Sequence, residues 1–365
     1  MAKKNDYFKN GGTGKKKKKH VVLIIFLVLL AAILIAAGVF VWYGYRTMKK
    51  MSDNQTVNII PAPEELPTVT AAPADLVPVE NPDELDLTED YDPEIDPEDI
   101  KFVDIFQKEA IDKDIINILL LGNDERNSID HGRSDTMMLL SFNKKQRSLK
   151  LVSFLRDTWI YIPGRNTWNR LNTAFRFGGV GLAVNTINTN FGLDIQHYML
   201  VNFDALKDIV DIVGGIDLQL SVREIEFINN MSHSTPLPVT AGWHHLNGAQ
   251  TLAHARNRKI GNGDWSRTER QRNVMYALFN KIKNESNAAS LMNLVNTLSA
   301  HVQTNLSPAE MTSLAIDVVF GGSLDLANRS VPFEGTWNYA WEGSMAVIHI
   351  DVAKNKALLH KYLYG

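Results

Sequence analysis

Cysteine is absent from all 365 residues. Disulfides and a cysteine nucleophile are therefore excluded, and any folded part rests on its apolar core. Charge is absent over residues 21–43, a run of 23. At about 1.5 Å per residue that is roughly 34 Å of helix, enough to cross a bilayer and too long for the apolar core of a cleaved signal peptide. Lysine and arginine are absent from residues 61–100, which hold eight of the thirteen prolines and fourteen acidic residues. Such a stretch repels itself and buries little, so it reads as an extended, disordered linker.

What is present sets an order along the chain. Residues 1–20 form a basic tail. Residues 21–45 form a transmembrane signal anchor with Trp42, Tyr43 and Tyr45 as an aromatic belt. Eight lysines precede the span, against Arg46, Lys49 and Lys50 after it, which predicts a cytoplasmic N-terminus and an extracytoplasmic remainder. The glycines and lysine at residues 11–15 lack the preceding strand and the following Ser/Thr of a phosphate loop. Residues 46–103 are the linker and residues 104–365 one folded domain. From Ile105 onward 26 basic residues face 24 acidic ones, a balance with no bulk nucleic-acid signal.

Within that domain, residues 115–121 form a nearly continuous apolar run ended by Gly122, as in a strand buried on both faces. Residues 136–142 and 149–155 are similar, and the polar turn between them predicts a meander. Helices are expected at 178–190, 204–213, 288–301 and 308–320, and strands at 198–202, 216–220 and 346–350. The alternation argues a layered α/β domain, and no internal repeat is evident.

A meander would place Asp124, Asp135 and Arg156 at one sheet edge. Asp124 and Asp135 suit a shared divalent cation, with oxygen ligands beside phosphate favouring Mg²⁺. They equally suit pairing with Arg126 and Arg133. Arg156-Asp157, just past a strand, suits a phosphate clamp or a buried ion pair.

The densest cationic stretch is residues 253–271. Asn247 with Gln250 opens a short helix that ends near Arg256 and Arg258, Gly261 and Gly263 turn the chain, and Ser266 with Glu269 has the form of a capping box. A helix over 267–283 would then begin at Arg267. Arg267 and Gln271 would share a core-facing stripe with Val274, Met275, Leu278 and Ile282. Arginines converging on a helix start suit phosphate or pyrophosphate. On its own the stretch also suits a solvated basic helix with surface ion pairs to Asp264 and Glu269. His244, His245, His254 and His349 lack a metal-site spacing.

Five motifs then appear in order: residues 117–124 with Arg126; Arg133-Ser134-Asp135-Thr136-Met137; residues 153–157; Gly214-Gly215-Ile216-Asp217; and residues 255–258 continuing to Arg267-Thr268-Glu269-Arg270-Gln271. From about residue 115 to 283 the chain thereby resembles the LytR-CpsA-Psr family. It departs at Leu155, where that family usually has proline. The resemblance implies a three-layer α/β/α sandwich with a central mixed sheet. It also implies a phosphotransferase that attaches an anionic glycopolymer (wall teichoic acid, capsule or a related polysaccharide) from undecaprenyl pyrophosphate to the C6 hydroxyl of peptidoglycan muramic acid.

Asp124 and Asp135 would hold Mg²⁺. Arg156, Arg256, Arg258, Arg267 and Gln271 would hold the pyrophosphate, with Arg133 supporting the carboxylates and, like Arg270, contributing to substrate binding; Arg156, Arg256, Arg258, Arg267 and Asp135 would carry the catalysis. The partners would be the lipid-linked polymer, peptidoglycan and the membrane of a Gram-positive-type bacterium, with no nucleic acid. Competing functions are a lipid-phosphate binder or pyrophosphatase that performs no ligation, and a membrane-bound transcription attenuator. The role of residues 284–365 is unassigned.

Overall fold

The computed structural model describes residues 42–50, 52, 57–62, 77–78, 103–123, 134–285, 294, 302–320 and 324–365. The expected membrane span lies outside these residues apart from residues 42–45, which begin a helix over 42–50. No helix among the described residues is long and apolar enough to cross a membrane.

The long apolar runs become a central mixed sheet. Its strands are β1 (Ile115–Asn123), β2 (Ser134–Asn143), β3 (Ser148–Phe154), β4 (His197–Asn202), β5 (Val302–Thr304) and β6 (Asp325–Val331), in the order β5-β4-β1-β2-β3-β6. β1, β2 and β3 form the expected antiparallel meander; β4 joins β1 and β6 joins β3 in parallel.

The principal helices among the described residues are α1 (Leu171–Phe191), α2 (Phe203–Ile212), α3 (Val222–Met231), α4 (Gly248–Arg256), α5 (Asp264–Glu285), α6 (Pro308–Phe320) and α7 (Val352–Tyr364).

The period-two alternation of β1 divides the core. Leu119 and Leu121, with Met137, Leu139, Val152 and Phe154, pack on one sheet face with Ala174, Leu182 and Ile187 of α1 and Leu359 and Leu363 of α7. Ile116, Ile118 and Leu120 pack on the other face with Met311 and Leu314 of α6. A strand apolar on both faces requires such double cover.

α1 begins at Leu171, seven residues before the expected start, and bends at Gly178 and Gly179, where the backbone leaves helical angles. Those glycines disguised its first two turns as loop. At Gly181 a Cβ would lie 1.6 Å from the Val103 carbonyl oxygen, so the absent side chain is what lets residues 103–106 cross the helix.

Parts of the stretch expected to be a free linker join the fold. Val57 is buried in the core, Ile59–Ile60 pairs in parallel with Ile105–Phe106, and Val77–Pro78 pairs with Trp337–Glu342. Val57, Ile59 and Ile60 precede the acidic, proline-rich stretch, and Val77–Pro78 is an apolar step within it. The helix expected at 288–301 lies outside the described residues except Leu294, which is helical and buried against Val274 and Leu278.

Candidate active site

The meander brings the end of β1, the start of β2 and the end of β3 to one end of the sheet. Asn123 pairs with Ser134 and Gly122 with Thr136, so Asp135 is the extra residue of a β-bulge at the end of the β1–β2 ladder. Bulges re-aim side chains and are common beside active sites. Asp124, Arg126 and Arg133 lie outside the described residues. At the same end of the sheet β3 stops at Phe154, two residues before Arg156.

Arg156 is buried, and so are its neighbours. Its Nε lies 3.4 Å from Asp157 Oδ2 and 3.4 Å from Asp264 Oδ1. Asp157, 1 % exposed, also faces Arg170 at 3.7 Å, and Arg170 donates to the Ala346 carbonyl at 2.6 Å. Asp264 is paired with Arg267, three residues along the same helix, which is 2 % exposed. Three guanidiniums from three elements are thus locked around two carboxylates. Arg258 adds its field at Asp264.

α5 starts three residues earlier than expected, and Ser266 is not its cap. Gly261 and Gly263 have positive φ, which a non-glycine residue adopts at a cost, and the Gly263 carbonyl accepts the first helical bond from Arg267 N–H. Ser266 Oγ instead accepts from Asn262 N–H at 2.8 Å. Asp264 therefore occupies the first turn, where the helix dipole favours an anion. Burial still pushes its carboxyl above the usual range, with Asp157 adding to the effect and Arg267, Arg156 and Arg258 opposing it. Of the expected stripe, Arg267, Gln271, Val274 and Leu278 are buried and Met275 and Ile282 half-buried, so it faces inward.

The other predicted residues of this stretch differ in exposure. Arg256 ends α4 at an exposed position and Arg258 follows half-buried. Arg270, expected beside the pyrophosphate, is engaged with other partners in this structure. Its Nε donates to Glu224 at 2.8 Å, and its terminal nitrogens donate to the carbonyls of Asn257 at 3.1 Å and Ile260 at 2.9 Å. It ties the turn that carries Arg258 to α3. Hydrogen bonds from Ser221 and Arg270 outweigh burial and keep the Glu224 carboxyl below its usual range.

Sequence reasoning undervalued Asp264, read there as a surface ion-pair partner, and missed Arg170, whose neighbours in sequence carry no signal. It also missed the aromatic group beside them. Trp265 and Trp337 rings lie 4.7 Å apart and Trp337 and Tyr339 rings 5.1 Å apart, with Tyr339 within electrostatic reach of Asp264 and Asp157.

The LytR_cpsA_psr family profile matches residues 88–357. The chain belongs to the LytR_cpsA_psr family. A family relative from Bacillus mycoides (strain KBAB4), named polyisoprenyl-teichoic acid–peptidoglycan teichoic acid transferase TagU, is 39 % identical over 197 residues, 54 % of this chain and 62 % of that protein. The chain thus covers under two thirds of that relative's length. The crystal structure of B. subtilis TagV superposes with a TM-score of 0.57 at 27 % identity, covering 69 % of this chain and 98 % of TagV. The family protein YwtF (TagT) with bound octaprenyl pyrophosphate lipid gives 0.53 at 25 %, covering 69 % and 91 %.

Proposed function

We propose that this protein is a phosphotransferase that moves an anionic glycopolymer from a polyprenyl pyrophosphate carrier to peptidoglycan. The observation that carries this reading is the convergence of Arg156, Arg258 and Arg267 on Asp264 at the start of α5. Family membership, the transferase name of the B. mycoides relative and the lipid in the YwtF structure support it.

In the reaction, a muramic acid C6 hydroxyl oxygen bonds to the phosphorus nearer the sugar. The bridging P–O bond breaks, polyprenyl phosphate leaves and the hydroxyl proton is released. Arg156, Arg258 and Arg267 hold and neutralise the phosphate oxygens, a task of positioning and charge stabilisation. Asp157, Asp264 and Arg170 hold the first and last of those arginines in place.

Asp124 and Asp135 are the residues that would hold Mg²⁺. The bulge that sets Asp135 opposite Gly122–Asn123, the residues just before Asp124, supports the pairing, and two carboxylates suit a hard cation. When bound, the ion supplies further neutralisation of the pyrophosphate. Mn²⁺ binding to the full chain, followed by electron paramagnetic resonance and weakened in Asp135→Asn, tests that assignment independently of activity. The domain is an extracytoplasmic α/β/α sandwich behind a single membrane span in this reading.

The test incubates the full chain in detergent micelles with a lipid-pyrophosphate saccharide, Mg²⁺ and peptidoglycan oligomers. Mass spectrometry should show a phosphodiester-linked adduct that Arg258→Ala does not form. Free saccharide phosphate without adduct marks a pyrophosphatase and overturns the reading.

A further inference from the structure

A cleft of about 570 Å³ lies between α5 and the antiparallel pair of strands Ile216–Leu220 and Gly242–Leu246. Its α5 wall includes Ser266, Glu269, Asn273, Ala277, Asn280 and Asn284, spaced three or four apart and so on one helix face. Arg267 and Gln271 lie on another face, toward the arginine cluster. From Ser266 to Asn284 the wall runs about 27 Å, and it starts one residue from Arg267.

The lining has the composition of a sugar site. Trp243 is 72 % exposed and Tyr276 42 % exposed, and both line the cleft. Flat aromatic faces stack on the C–H faces of pyranose rings, while side-chain amides donate to and accept from hydroxyls and acetamides and carboxylates accept from them. Three carboxylates, Asp217, Glu224 and Glu269, face two cations, Arg270 and Lys281, and Arg270 is bonded to Glu224. That balance is unfavourable for a polyanion.

We infer that this cleft binds a neutral, N-acetylated glycan, the backbone of the acceptor strand, laid along α5 toward the arginine cluster. The inference rests on the transferase reading. It assigns the two substrates to opposite faces of one helix, the anion to the arginines and the uncharged sugar to the Trp243–Tyr276 side.

Isothermal titration of the full chain in detergent micelles with tetra-N-acetylchitotetraose tests it. The intact protein should bind, Trp243→Ala and Tyr276→Ala should each weaken binding about tenfold, and geranylgeranyl pyrophosphate binding should be unchanged in both, since their exposed side chains leave the arginine cluster intact. Lack of binding by the intact protein, or equal binding by the doubly substituted protein, overturns the inference. So does poly(glycerol phosphate) displacing the saccharide from the intact protein at equal concentration. Saccharide binding that depends on Trp243, in a protein forming no adduct, would instead sink the transferase reading. Adduct formation with an unchanged acceptor KM in the doubly substituted protein would sink only this one.

Discussion

Arg267 is positioned by Asp264 from the same helical turn, so its geometry is set within four residues of chain. Its planar fork can meet a carboxylate and a phosphate together, whereas a lysine ammonium keeps the charge as a single point. Arg267→Lys should therefore lower the initial rate of adduct formation by about 10–100-fold, the loss of one or two charge-assisted hydrogen bonds. An unchanged rate would mean that charge alone matters there.

A second residue reports on pH. Burial, opposed by Glu224 and aided by Arg270, pushes His254 down to about 4. Between pH 6.5 and 4 the unfolded chain binds a proton that the folded chain excludes. This contribution to stability is complete above about pH 6.5 and is lost as pH falls toward 4, up to about 3 kcal/mol. His254→Gln should flatten the fall of the urea midpoint across that window, and an unchanged slope would refute the assignment.

At the scale of elements, α1 shows two opposing effects at one position. Gly181→Ala improves helix propensity by about 1 kcal/mol. The added Cβ meets the Val103 carbonyl at 1.6 Å, and overpacking of this kind costs about 1–3 kcal/mol or more. Sterics win, so the variant should unfold at lower urea with an unchanged m-value; a higher midpoint would show that residues 103–106 yield easily.

Elements whose periodicity carries one message were legible in sequence. The three runs of the meander and the stripe Arg267–Gln271–Val274–Leu278 are where their patterns put them. The start of α1 was not legible, because Gly178 and Gly179 look like a boundary while the packed fold makes them a bend. The start of α5 was misplaced for a related reason: Ser266 and Glu269 have the letters of a capping box, but the glycine turn lets the helix begin earlier. Asp264 thereby entered the site, and no local pattern announces a carboxylate whose partners are Arg156 and Arg267. Arg270, equal to its neighbours in sequence, was turned by helical geometry toward Glu224.

For the whole molecule, the charge asymmetry around residues 21–43 predicts that everything after the span faces outward. External protease on intact cells should digest the folded domain and spare the basic tail. A protected domain would reverse the topology and return the basic stretch to consideration for nucleic acid. Topology and site then make one claim, that an outward-facing arginine cluster holds a lipid pyrophosphate.

The most direct test of that claim is calorimetric titration of geranylgeranyl pyrophosphate and geranylgeranyl phosphate into the full chain, Arg156→Ala and Arg267→Ala. The intact chain should prefer the pyrophosphate, and each substitution should weaken its binding at least about tenfold, roughly 1.4 kcal/mol. Equal affinity of all three proteins for the pyrophosphate would contradict the account.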